Sequence, residues 1–354
     1  MPSFCTPRAA AQAADRASST ALAFPRRGRG RLSELEQHLY DDQLRQWCDG
    51  IIEIASRLDF KVSSRGWCYV LEEHGLDKGD FDRGERLIND CRKDGLLPLD
   101  ICGEDDGRQT LHLENIDDET PTEFAQGWIN YLDVAHQQYW PISFWDDLDV
   151  YLQMTVEKVD LKNLFDPECK PFHLPLSNIS GWNDINSRVG IMRRFAHWER
   201  RSKQCVLLHC GDHDPGGLNI SEFLRSNLAD LTKAVGWSPD KLIIDRFGLN
   251  YDFIQQQRLT WIDNLITGSK RDLADPDHPD HFKPYVQNYL REFRARKVEA
   301  NALVVRPEAG RKLCRDAILR YVPAAAVTKF ERRLKLRRAQ ARREIIRLMS
   351  EIAS

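Results

Sequence analysis

Residues 205–223 read CVLLHCGDHDPGGLNISEF, and this stretch decides the fold. CVLLHC (205–210) is an unbroken apolar run of the length expected for a strand buried on both faces. It stops abruptly at Gly211-Asp212-His213-Asp214-Pro215-Gly216-Gly217, and helical spacing is predicted from 217 to 235. Gly211 lets the chain turn, and Pro215 with the two glycines ends the strand and opens the helix. Asp212 and Asp214 are two residues apart, so in extended backbone their side chains point the same way. In an open parallel sheet, sites gather beyond the carboxyl ends of strands. Two like charges buried there need a cation to offset them. Hard carboxylate oxygens favour Mg²⁺ or Mn²⁺.

Working outward, the same strand–helix rhythm recurs. Leu152, Met154 and Val156 alternate as in a strand, and Glu157 follows directly, supplying a third acid at the same sheet edge. FHLPL (172–176) reads as extended, 181–201 as an amphipathic helix, KLIIDRF (241–247) as a strand and 252–266 as a helix. KVEANAL (297–303) is a short strand candidate, and 307–321 is helical. Strands alternating with helices predict an α/β fold, a mostly parallel Rossmann-like sheet covered on both faces over 150–322.

The region before it is different. Apolar positions from Leu39 to Leu58 predict one helix, 64–76 a second and 81–94 a third, stopped by Gly95. LLPLDI (96–101) reads as extended and CGEDDGRQT (102–110) as a turn or wing. Three helices, a strand and a wing suggest a winged-helix domain over 33–145, with a plain helical domain as the alternative. Thr120-Pro121-Thr122-Glu123 is a capping box with proline at the first helical position, so a further helix starts there. Residues 1–32 carry six Arg against one acid, Asp15, and read as a disordered basic tail, with a transit peptide or an overextended start as alternatives. Residues 323–354 carry nine Lys or Arg against three Glu and form a basic amphipathic helix. It is suited to pack on the body, on a second subunit or across DNA. Nine cysteines without a CxxC pair fit reduced thiols. No apolar run approaches the roughly 18–20 residues that span a membrane.

VEK (156–158) followed by GDHDPGG (211–217) resembles the Toprim domain, and the chain as a whole resembles the topoisomerase VI A-subunit class, including small bacterial and mobile-element relatives. IDRFGLN (244–250), Lys270 and KVEANAL resemble that class's later segments, and SRGWCY (64–69) with CRKDGLLPLD (91–100) resembles its winged helix, over roughly 55–320. The resemblance implies Glu157, Asp212 and Asp214 as Mg²⁺ ligands, with Mn²⁺ as a substitute, Tyr69 as nucleophile and Arg65 beside the scissile phosphate. It implies cleavage of double-stranded DNA through a phosphotyrosyl link, a homodimer in which the tyrosine of one subunit meets the metal site of the other, and a separate ATPase subunit; the cytoplasmic, nucleoid-associated location is expected from the reduced thiols and the lack of a membrane-spanning run. The sequence departs from the class at Arg-Gly-Trp-Cys-Tyr, where Gly66 costs the helix about 1 kcal/mol relative to Ala. A hydrolytic Toprim nuclease and a non-catalytic DNA-binding module are the competing functions.

Other clusters carry less. His209, Cys210 and His213 suggest zinc, but neighbouring strand residues alternate faces. Asp277-His278-Pro279-Asp280-His281 reads as a solvated loop. Glu299 is either a supporting acid or the ion-pair partner of Lys297 or an arginine, and Lys270 either touches phosphate or is simply exposed. No GxxxxGK[ST] motif is present, so nucleotide hydrolysis is not indicated.

Overall fold

The computed structural model describes residues 22–28, 30–103, 118–179, 185–266 and 271–353. Much of the basic tail, the wing and Lys270 lie outside the described residues. Among the described residues four α-helices come first: α1 (Glu34–Ala55), α2 (Ser64–Glu72), α3 (Phe81–Lys93) and α4 (Pro121–Ala135). Then β1 (Val150–Val156), α5 (Val159–Cys169), β2 (Leu176–Asn178), α6 (Ile185–Glu199) and β3 (Gln204–Cys210) alternate. The short helices α7 (Pro215–Leu218), α8 (Ile220–Ala229) and α9 (Thr232–Val235) lead to β4 (Ile243–Gly248). Helices α10 (Tyr251–Gln257), α11 (Pro284–Phe293), α12 (Pro307–Leu319) and α13 (Ala325–Ala353) complete the chain.

The fold is mixed α/β. Among the described residues its sheet has four strands, all parallel, in the order β2-β1-β3-β4. Strand β1 pairs with β3 in register from Val150↔Gln204 to Val156↔Cys210. Period-two alternation then assigns the two faces of the sheet. Tyr151 stacks on Trp198 of α6, and Gln153 donates to the Ile191 carbonyl of the same helix (3.1 Å). Met154 points the other way, to the thiols of Cys169 in α5 and Cys314 in α12 (both 3.8 Å). Both faces are therefore covered, which is why the interior of β1 is buried throughout. The polar Gln153 and Thr155 are tolerated there because each is hydrogen-bonded, Gln153 also to Arg194 (2.8 Å) and Thr155 to His209 (3.1 Å). All eight described cysteines are free.

One apolar core runs from Trp47 and Trp67 in α1 and α2, through the sheet, to Phe330 and Leu334 in α13. The helical region is pinned to the sheet region by a buried carboxylate. Asp160, in the first turn of α5, accepts from the hydroxyl of Ser63 (2.8 Å) and from its backbone N–H. Ser63 is the N-cap of α2. The contact is so close that a Cβ on Gly66 would lie 2.6 Å from Asp160 Oδ2. The glycine that departs from the expected helical pattern is thus required by a neighbour 94 positions later in the chain.

Several boundaries differ from the sequence expectations. Leu99–Ile101 is a 3-10 turn rather than extended, and Cys102 alone bridges to Val62. The second extended piece lies slightly later than FHLPL, at Leu176–Asn178. The helix expected over 217–235 breaks into α7, α8 and α9. The helix expected over 252–266 stops at Gln257, with Arg258 in left-handed conformation, because Ile262 is drawn into backbone pairing with Lys297 (2.8 and 2.9 Å). KVEANAL is not a ladder strand: Lys297 and Val298 make single bridges to Ile262 and His213, and Ala300–Val305 turns into a 3-10 helix.

Candidate functional site

The sheet order sets the location. The chain moves from β1 outward to β2, then returns past β1 to β3, so the connections diverge between β1 and β3. Such a switch point leaves a crevice beyond the carboxyl ends of the two strands. Glu157 and Asp212 flank it. The β1–β3 ladder continues one step past the strands, Glu157 N–H donating to the Cys210 carbonyl (3.1 Å). The Asp212 N–H then donates to Glu157 Oε2 (2.8 Å).

Each of the three acids has one oxygen fixed by a backbone N–H. Asp212 Oδ1 accepts from Ala300 (2.7 Å), and Asp214 Oδ1 caps α7 by accepting from Gly217 (2.6 Å). A side chain at 217 is impossible in this arrangement, since a Cβ would sit 2.0 Å from the Asp212 carbonyl oxygen. Burial, with the charge of Glu157 added, pushes the Asp212 carboxyl up to about 6. Burial and the neighbouring Asp212 likewise raise Asp214. Crowded, partly desolvated carboxylates of this kind call for a positive charge.

That charge comes from Lys158, which sequence reasoning passed over although it follows Glu157 directly. Its Nζ lies 3.0 Å from Asp212 Oδ2 and 3.7 Å from Glu157 Oε1. Burial works against the ammonium, but Asp212 and Glu157 outweigh it and raise its pKa. Among the described residues, no three His, Cys, Asp or Glu side chains already converge as a metal cage. The acids nonetheless suit Mg²⁺ or Mn²⁺ in donor type and charge, and the oxygens not held by Ala300 and Asp212 N–H face a cation position that an ammonium fills.

Arg246 was also missed, its place in the apolar strand IIDRFG giving no hint of a site role. It is the clamp of the acidic loop, donating to the carbonyls of Gly217 (2.7 Å), Leu249 (2.7 Å) and Asp212 (3.3 Å). Burial weighs against its charge and lowers its pKa.

Tyr69 and Arg65 project from α2 toward the same edge. The Tyr69 hydroxyl donates to Glu299 Oε2 (2.6 Å) in its own chain. Tyr69 is 1% exposed, its ring edge-on to Phe81 at 5.0 Å. Burial, reinforced by Glu299, raises its pKa far above the usual phenol range. Arg65 donates to Asp82 (3.1 Å) and lies 4.0 Å from Glu299. Lys297 Nζ is 3.7 Å from Glu299, so that acid pairs with Tyr69, Arg65 and Lys297 together. Burial raises the Glu299 pKa, but the hydrogen bond from Tyr69 and the surrounding cations outweigh it and leave it lowered.

The zinc reading of His209 and His213 finds no convergence. His209 is turned to Thr155, while His213 bonds the Leu249 carbonyl (3.0 Å) among Trp261, Tyr289 and Phe293. His278 and His281 are used within their own loop, bonding Asp280 N–H (3.0 Å) and the Leu273 carbonyl (2.8 Å). Comparison of the chain with protein-family models, with curated proteins and with solved structures finds no match in any of the three. Among the described residues, no helix is long and apolar enough to cross a membrane.

Proposed function

We propose that the chain cleaves DNA strands with the help of a divalent cation, as a protein of the topoisomerase VI A-subunit type whose sheet region is a Toprim domain and whose preceding helices form a winged helix. The observation that supports the reading is the pairing of Glu157 with Asp212 at the β1/β3 switch point, each with one oxygen fixed by the backbone and the other turned to Lys158, and with Asp214 two residues further on. These three residues would hold the Mg²⁺ or Mn²⁺. Bound there, the cation would neutralise charge on a phosphate and activate an attacking oxygen. Arg65, Lys78 and Lys297 border the site and are suited to phosphate oxygens, Lys78 lying 5.4 Å from the Tyr69 ring centre. Helix α13, with nine Lys or Arg, offers a second DNA-contact surface. A nucleoid-associated location follows from this reading.

The nucleophile divides the proposal. The burial of Tyr69 and its bond to Glu299 favour water, hence a hydrolytic nuclease. Transesterification by Tyr69 is the second reading, supported by the Arg65–Tyr69 spacing and by the approach of both residues to the acidic edge. It requires Tyr69 to leave Glu299. The homodimer and the ATPase subunit belong to this second reading.

End-labelled duplex DNA, incubated with wild type, Tyr69→Phe and Asp212→Asn in Mg²⁺ or Mn²⁺, tests both. Free ends from wild type and Tyr69→Phe, absent with Asp212→Asn, support hydrolysis. A protease-sensitive adduct lost in Tyr69→Phe supports transesterification. DNA binding without products in either metal overturns cleavage and leaves a binding module.

A further inference from the structure

We propose that Lys158 is the resident cation of the acidic site, and that a divalent cation binds there by displacing its ammonium group. The inference rests on the metal-site reading above and goes beyond it, because it assigns a gate to that site.

Two of the three acids present their second oxygen to the same nitrogen, Asp212 Oδ2 at 3.0 Å and Glu157 Oε1 at 3.7 Å. Their other oxygens are held by backbone N–H groups that do not depend on Lys158. Removing the ammonium therefore leaves the carboxylates where they are. Lysine is suited to leave: it is a point charge on a flexible four-carbon stem, without the fixed fork that locks an arginine onto a carboxylate. Its side chain keeps an outlet, being 27% exposed against 7% for Asp212. Glu299 also attracts it, so a displaced ammonium has a second acid within electrostatic reach. Arg246 and Lys297 add positive charge near these acids, but it is the Lys158 ammonium that lies against the outward oxygens of Asp212 and Glu157. A divalent ion that takes direct oxygen ligands compensates them better.

The consequence is competition. While Lys158 is in place it repels an incoming divalent ion from a few ångströms away and occupies the ligand oxygens. Neutralising the residue must then tighten metal binding, whereas a lysine needed to hold the acids in place would weaken it when removed.

The experiment is a Mn²⁺ titration of the full chain, free Mn²⁺ being read from its electron paramagnetic resonance signal. Wild type, Lys158→Met and Asp212→Asn are compared without DNA. Lys158→Gln serves as the second neutral variant, because it keeps a hydrogen-bond donor toward Asp212 if the methionine variant does not fold. The expected result is binding about tenfold or more tighter in the neutral variants, and loss of the site in Asp212→Asn. Equal or weaker binding by folded Lys158 variants, with wild type still binding, overturns the displacement proposal and leaves the metal site standing. Absence of binding at millimolar Mn²⁺ in wild type and neutral variants alike overturns the metal site and the proposal together.

Discussion

Helix α4 carries every local mark of a stable helix. It has a complete capping box at Thr120 and Glu123, proline in its first turn and fifteen residues. Helix α2 has nine residues, with Gly66 near its start. Yet six residues of α2 are buried, from Gly66 to Leu71, and none of α4 is. Phe124, Trp128 and Tyr131 of α4 stack edge to face on one another rather than into a core. Local signals fix that a segment is helical. What the helix is used for is decided by partners far away in sequence, here Asp160 and Glu299 for α2.

The sharpest way to break this contrast is to remove a large side chain from α2. Trp67 is buried, and its Nε1 donates to the Ile101 carbonyl (3.0 Å). Trp67→Ala is expected to cost about 3–5 kcal/mol in urea unfolding. A loss below about 1 kcal/mol would mean that α2 is not part of the cooperative core. Glycine substitutions sharpen the comparison by sign. Gly66→Ala drives a methyl against Asp160 and is expected to destabilise by about 1–3 kcal/mol, although alanine favours helix. Gly127→Ala in α4 meets nothing within 4 Å, and the same replacement should stabilise by up to about 1 kcal/mol, read as a rise in melting temperature. The smallest effect is expected for Trp128→Ala. Its ring is 58% exposed, so the isolated chain should change by less than about 0.5 kcal/mol.

The same distinction explains what could be read in the sequence. Strand β3 was legible because CVLLHC can be satisfied only by burial on both sides, and Asp212 and Asp214 because acids immediately follow it. Glu157 was legible for the same reason on β1. Helix α4 was legible from its cap, but the exposure of its Phe124 and Trp128 is set by what the rest of the fold leaves uncovered. The early end of α10 was hidden, because the cause is pairing between Ile262 and Lys297, 35 positions apart. Lys158 stood in plain view, but its role depends on Asp212 reaching it across the β1–β3 pair. Arg246 was concealed by the apolar strand around it, since nothing local says that three carbonyls would converge on its guanidinium. Gly66 read as a defect in a helix and is a clearance for a carboxylate.

The Ser63–Asp160 contact has a bearing on how such a chain can be rearranged. Ser63 starts the helix that carries Arg65 and Tyr69, and Asp160 lies three residues after Glu157. The two ends of this bond therefore come from segments that also carry the candidate chemistry. A hybrid that joined these N-terminal helices to another sheet region would have to bring a short acid at the position of Asp160. A hybrid of the opposite kind would have to bring both a hydroxyl at 63 and a residue without a side chain at 66. Recombination at the boundary near residue 145 is thus constrained by three positions remote from the seam, Ser63 and Gly66 before it and Asp160 after it, and the two halves are expected to be inherited as a matched set.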